Sequence, residues 1–224
     1  MFTNIMAKKI KTNVNADAIF STLCAQNPHP VTELFYTNDF TLLVAIVLSA
    51  QATDVGVNKA TPALFKIADT PRKMAVLGED KLKSYIKTIG LFNSKAKNVI
   101  ALSKMVLEEY AGKVPDARTD LERLPGVGSK TAAVWLNCAR GLPTIAVDTH
   151  VFRVANRLGL CDTKTADATE AALEKAIPDQ WKKNAHHWLI LHGRYVCKAR
   201  KPECRNCIIR EYCGFKEKSL SSRA

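Results

Sequence analysis

No stretch of this chain stays apolar for long enough to cross a membrane. The longest mainly apolar run, Phe40 to Ala50, is bounded by Asp39 and Gln51 and falls far short of the roughly 20 residues that a spanning helix needs. The opening residues, Met1 to Asn13, carry lysines but no following apolar region of the kind that marks a secretion signal. Met6 offers an alternative start, and the residues ahead of it are expected to be disordered. The cysteine count is odd, seven, which without a secretion signal argues against a disulfide framework. No segment alternates apolar and polar residues convincingly, as a half-buried strand would, and no internal repeat is found. A short strand over 144–147 is the one alternative and is not expected. These absences point to a cytoplasmic, all-α protein.

What is present begins with charge. There are 33 basic and 21 acidic side chains, a formal net charge of +12. So strong a basic balance suits a polyanionic partner, nucleic acid before membrane. The length of 224 residues allows one large or two modest domains.

Apolar residues recur at helical spacing through most of the chain. Helices are expected over Ala16 to Gln26 and from an Asn38 cap to about Ala50. Another should follow an Asp54 cap and be kinked or broken at Pro62. A short helix opens at Pro71, and the next, around Leu82 to Ile86, stops near Gly90. A long helix starts at Asn93 or Ser94 and ends around Gly112. Thr119 is a possible cap for a short helix ending at Leu124, and Lys130 to Arg140 follows it. The last three run from Asp148, over Thr165 to Ile177, and over Trp181 to Val196. The run at Phe40 to Ala50 is apolar nearly all round and should lie at the centre of a helical domain.

The chain is organised around Leu124-Pro125-Gly126-Val127-Gly128-Ser129-Lys130-Thr131. Two glycines allow a tight turn between helices, and neither holds a partner away with a side chain. The second helix starts at once, so its unbonded N–H groups face out of the turn and can receive a phosphate. Val127 would plug the space between the helices. Lys130 is unusual, because a cation is disfavoured in the first turn of a helix.

Cys197, Cys204, Cys207 and Cys213 follow the spacing C-x6-C-x2-C-x5-C. Four thiolates this close can surround one zinc ion or hold a cubane iron–sulfur cluster, one per iron. The loop between the first two contains Lys198, Arg200 and Lys201, which suits contact with a phosphate backbone. Cys24, Cys138 and Cys161 read as buried thiols. Asp148 reads as a helix cap. A lysine amine and a carboxylate, each at a helix start near a phosphate-binding turn, can also form a nucleophile and acid–base pair. His150 lies two positions on. The spacing of His186, His187 and His192 does not put two ligands on one helix face, so these read as packing or phosphate contacts.

Together the hairpin, Lys130, Asp148 and the four-cysteine tail resemble the endonuclease III family, the bacterial DNA glycosylases and abasic-site lyases of the helix-hairpin-helix superfamily. Leu48 to Asp54, Ile89 to Ala96 and His187 to Arg194 carry the same resemblance, which covers nearly the whole chain from about Ala16. It implies two helical domains flanking a DNA-binding groove. One is a six-helix barrel with the hairpin, residues 32–142; the other joins 1–31 to 143–224 around a [4Fe-4S] cluster. By the same resemblance Lys130 is the catalytic nucleophile and Asp148 the catalytic aspartate, while Cys197, Cys204, Cys207 and Cys213 hold the cluster. Gln51 fills the gap left by an extruded base and Leu91 wedges into the duplex. Gly126, Gly128, His150 and Lys201 complete the expected DNA contacts. The partner implied is damaged double-stranded DNA, bound by a monomer, and the reaction is removal of oxidised pyrimidines followed by β-elimination at the abasic site. Many relatives carry a basic residue where this chain has Ser129. Two rivals remain. A monofunctional adenine glycosylase would lack the hairpin lysine, and a non-catalytic zinc-stapled DNA-binding module would need neither Lys130 nor Asp148.

Overall fold

Asn38 starts the central helix. Its side chain accepts from the Thr41 amide at 2.9 Å and the Thr41 hydroxyl accepts from the Asn38 amide at 2.9 Å, closing both ends of a capping box. The helix that follows, Asp39–Ser49, is buried from Phe40 to Leu48, as an all-round apolar pattern requires. A computed structural model describes residues 15–218, and every element among them is helical. In chain order the helices are α1 (Ala16–Gln26), α2 (Asp39–Ser49), α3 (Asp54–Ile67), α4 (Pro71–Leu77), α5 (Glu79–Ile86), α6 (Phe92–Glu109), α7 (Arg118–Arg123), α8 (Ser129–Arg140), α9 (Thr149–Leu158), α10 (Ala166–Ala176) and α11 (Asp179–Tyr195). Two single-turn 3-10 helices, Cys204–Asn206 and Arg210–Tyr212, follow. No strand forms over 144–147. The alternative start at Met6 lies outside the described residues. No helix among those described is long and apolar enough to cross a membrane.

The chain divides into two units, Val31–Ala146 and Met1–Pro30 with Val147–Ala224. In the first, α2 packs against α3, α6 and α8. Trp135 of α8 is fully buried and donates its indole N–H to the Asp39 carbonyl at 3.0 Å, tying α8 to the start of α2. Truncating a buried tryptophan of this kind costs roughly 3–5 kcal/mol. Arg140, at the end of α8, is paired with Asp39 and Asp116, both at 2.7 Å.

Four local expectations are corrected here. Pro62 does not break its helix, since α3 is continuous from Asp54 to Ile67 around it. Thr53, not Asp54, caps α3, its side chain accepting from the Gly56 amide. Thr119 is not a cap either, because α7 begins at Arg118 behind Ala117 with no side-chain cap. The long helix α6 starts at Phe92, ahead of Asn93 and Ser94, and its N-cap position is Leu91.

In the second unit α11 packs on α9 and α1, and α10 packs on α9. Asp17 of α1 accepts from Gln180 and from the Trp181 indole, both at 2.8 Å. Trp188 meets Trp181 edge-on and Phe20 at a tilt, and donates to the Asn27 carbonyl at 2.8 Å. His186, His187 and His192 are all buried, so they are packing residues and not phosphate contacts. Of the three cysteines read as buried, only Cys161 is; Cys24 and Cys138 are half-buried. Burial pushes the Cys138 thiol up to about 12, which keeps it protonated and unreactive.

Candidate functional site

The hairpin joins α7 to α8. Val127 donates its amide to the Leu124 carbonyl at 3.0 Å and is itself buried, plugging the turn as expected. Gly126 takes φ +81°, the left-handed region that side chains disfavour. It is also pressed against α6: a Cβ there would lie 2.9 Å from Asn98 Cβ. Gly128 is different. Its φ of −92° is open to any residue, so the bend itself needs only Gly126. As the N-cap of α8 it has open space where a side chain would stand, which leaves the first-turn amides uncovered.

Lys130 is the second residue of α8 and is exposed. Ser129, immediately before it, accepts from the Arg118 guanidinium at 2.6 Å, and Arg118 is paired with Glu122 at 2.9 Å. A guanidinium therefore stands beside the hairpin although position 129 itself is not basic.

Gln51 and Leu91, in the same unit, share an uncommon backbone. Their φ values are +52° and +59°, and Lys201, in the other unit, has +54°. Among the described residues only Ala111 joins them as a non-glycine with positive φ. Such strain gathers where a structure holds a side chain for use. All three side chains are exposed. Leu91 is 59% exposed, so it is not a core leucine.

In the second unit Asp148 caps α9. It has extended backbone, is half-buried, and its Oδ1 accepts from the Val151 amide at 2.7 Å. His150, half-buried in the first turn, lies 3.2 Å through Nδ1 from an Arg153 nitrogen. The same Arg153 nitrogen donates to the Gly193 carbonyl at 2.8 Å, and Arg153 Nε donates to the Cys197 carbonyl at 3.1 Å. Burial pulls the Arg153 guanidinium below its ordinary value, while Cys197 and Asp148 act in the opposite sense. One turn on, Arg157 donates to the Lys198 and Ala199 carbonyls at 2.7 and 3.0 Å and lies over the Phe215 ring. Arg153 and Arg157 thus fasten the start of the basic loop to α9. Their roles were not read from the sequence, although a spacing of four residues on one helix face was visible.

Cys197, Cys204, Cys207 and Cys213 line one pocket, together with Leu158, His192, Pro202 and Phe215. Cys197 Sγ lies 3.5 Å from an Arg157 nitrogen, and Cys207 Sγ lies 3.6 Å from His192 Nε2. Burial raises the Cys207 and Cys213 thiols above their ordinary values. Among the described residues no three His, Cys, Asp or Glu side chains converge as a single bound ion requires.

Comparison with known proteins gives this arrangement a class. The model of the HhH-GPD superfamily of base excision DNA repair proteins matches residues 44–179. Endonuclease III of Rickettsia conorii is 59% identical over 197 residues, covering 88% of this chain and 94% of that protein. Endonuclease III of Escherichia coli K12 is 55% identical, covering 89% and 95%. A solved structure of a trapped endonuclease III–DNA covalent intermediate is 42% identical with a TM-score of 0.81, covering 88% of this chain and 93% of that one. The chain belongs to the HhH-GPD superfamily and, within it, to the endonuclease III family.

Proposed function

We propose that Lys130 and Asp148 carry out the chemistry of this enzyme. Family membership makes the chain a DNA glycosylase and abasic-site lyase of base excision repair. The residue assignment rests on one observation above all. Lys130 is an exposed amine in the first turn of the helix that leaves the hairpin.

A base stacked in a duplex must be extruded before its glycosidic bond can be reached, and a damaged base, which stacks poorly, is extruded at lower cost. Lys130 Nζ, as the neutral amine, attacks C1′ of the extruded nucleotide. The bond from C1′ to the base breaks, and the base leaves with its electron pair and gains a proton. Asp148 handles protons and stabilises cationic character at the sugar. The sugar ring opens to a Schiff base on Nζ, which acidifies the neighbouring 2′ proton. Removal of that proton expels the 3′ phosphate oxygen and cuts the strand. The substrates proposed are oxidised pyrimidines and abasic sites in duplex DNA.

Gln51 fills the space vacated by the base and Leu91 wedges the stack. Gly126, Gly128, His150 and Lys201 meet the backbone. Cys197, Cys204, Cys207 and Cys213 would hold a [4Fe-4S] cluster. Their lining of a single pocket fits a group bound through one thiolate per iron, while convergence on one point is what a lone zinc ion would need. Bound there, the cluster would tie together the two ends of the basic loop that Cys197 and Cys204 bracket. The enzyme acts as a monomer in the cytoplasm.

Borohydride trapping on duplex DNA with an abasic site tests the assignment. Lys130→Gln keeps polarity but removes the amine. It should abolish the trapped adduct and strand cleavage, with DNA affinity held within a few fold, roughly 1 kcal/mol. A trapped adduct from Lys130→Gln would remove the lysine from the reaction.

A further inference from the structure

α9 packs closely against α11 at Gly193. A Cβ on Gly193 would lie 2.8 Å from His150 Cβ, 3.1 Å from Val154 Cγ2 and 3.3 Å from His150 Cα. The nearest of these atoms is fixed to the α9 backbone, and another is the backbone itself, so no rotamer change makes room. Gly193 lies inside α11 and is not among the positive-φ glycines, so its backbone would accept any residue. Glycine weakens a helix interior relative to alanine. What glycine supplies here is the missing Cβ.

The atoms it would strike belong to the first turns of α9. His150 is two residues from Asp148, whose carboxylate caps that helix through the Val151 amide. Val154, whose Cγ2 also faces Gly193, is fully buried, so α9 has no slack on that side. The Gly193 carbonyl, accepting from Arg153, pins the same turn from α11.

We propose that Gly193 is a positioning residue for base excision: by lacking a Cβ it lets the first turn of α9 seat on α11 and thereby sets where the Asp148 carboxylate stands. This rests on the reading of Asp148 as the catalytic partner. An added methyl group displaces His150 and carries Asp148 with it, and misplacement of a reacting group by about 1 Å can cost on the order of 100-fold in rate.

A double-mutant cycle tests the seat through single-turnover excision, with affinity for a duplex containing an uncleavable abasic-site analogue measured alongside. Gly193→Ala should slow excision by at least about tenfold while affinity stays within about threefold. In a His150→Gly background, whose own rate is the reference, the nearest clashing atom is gone and only the longer contacts with Val154 Cγ2 and the Cα of residue 150, at 3.1 and 3.3 Å, remain. There the same substitution should cost several-fold less than it does in the parent chain. Equal losses in both backgrounds, or normal excision by Gly193→Ala, would overturn the proposal. Should Gly193→Ala fail to fold, the double variant must fold; failure of both counts against the proposal as well. Asp148→Asn separates the two readings. If it excises normally, the assignment of Asp148 falls; if it is slow while Gly193→Ala is fast, only the seat falls.

Discussion

The carbonyl oxygen of Gln51 faces Gly90. A Cβ on Gly90 would sit 3.7 Å from it, an ordinary contact, so the turn after α2 and the turn before α6 lie side by side. Each turn then presents one exposed side chain from a left-handed residue, Gln51 and Leu91. Leu91→Ala should weaken excision from a paired duplex more than action on a preformed abasic site, where less unstacking remains. Gln51→Gly should relieve backbone strain, raising stability by up to about 1 kcal/mol, while slowing excision. Thermal melts and single-turnover rates check both, and equal losses of Leu91→Ala on the two substrates would return that residue to a structural role.

Lys201 is also left-handed and exposed, in the basic loop fastened by Arg157. Lys201→Ala should flatten the dependence of log affinity on log salt by about one unit, with little change in preference for the lesion. An unchanged slope would show that this ammonium does not meet a phosphate.

The cysteine pocket makes a prediction about composition. Purified enzyme should be yellow-brown, absorb in the near-visible and contain about four irons per chain. Cys207→Ser should lower the iron content and loosen the loop from Cys197 to Cys213, seen as faster proteolysis there. Colourless, fully active protein with one zinc would exclude the cluster.

Acid should destabilise the fold through His187. Its ring is buried beside His186, and burial first, then the neighbouring charge, lowers it to about 4. An unfolded histidine titrates near 6.5, so between about 6.5 and 4 the unfolded chain binds a proton that the folded chain does not. Stability is therefore full above this window and falls as pH drops through it, by on the order of 3 kcal/mol. Denaturant melts of His187→Gln over the same range should show a shallower loss. A loss as steep as that of the parent chain would place the acid sensitivity elsewhere.

Much of the fold was legible because helical periodicity is a local signal. The apolar run of α2, the Asn38 and Asp148 caps and the hairpin glycines could all be read from neighbouring residues. The misses are of another kind. Leu91 stands at an N-cap without being a capping residue, because its backbone is fixed by the turn before it. Thr119 looked like a cap, but the helix had already begun. The packing of Gly193 carried no signal, since the residues it meets lie in a helix some forty positions earlier. The fastening of the basic loop by Arg153 and Arg157 likewise joins residues about forty apart in sequence. Lys130 and Asp148 were singled out chiefly by their neighbours, which form recognisable motifs, with the placing of a cation in a first helical turn as the one local oddity.

The bonds from Asp17 to Gln180 and Trp181 join residues more than 160 positions apart. During synthesis the whole of Val31–Ala146 leaves the ribosome before α11 exists, so that unit can condense first while α1 waits without its partner. Closing so long a loop is slow but adds little to its entropic cost over a loop half its length. The order of assembly follows: the hairpin is in place early, Asp148 gains its seat only with α11, and the cysteine pocket closes last, when Cys213 emerges. A chain released before that point would carry the amine and the aspartate but not the braced basic loop.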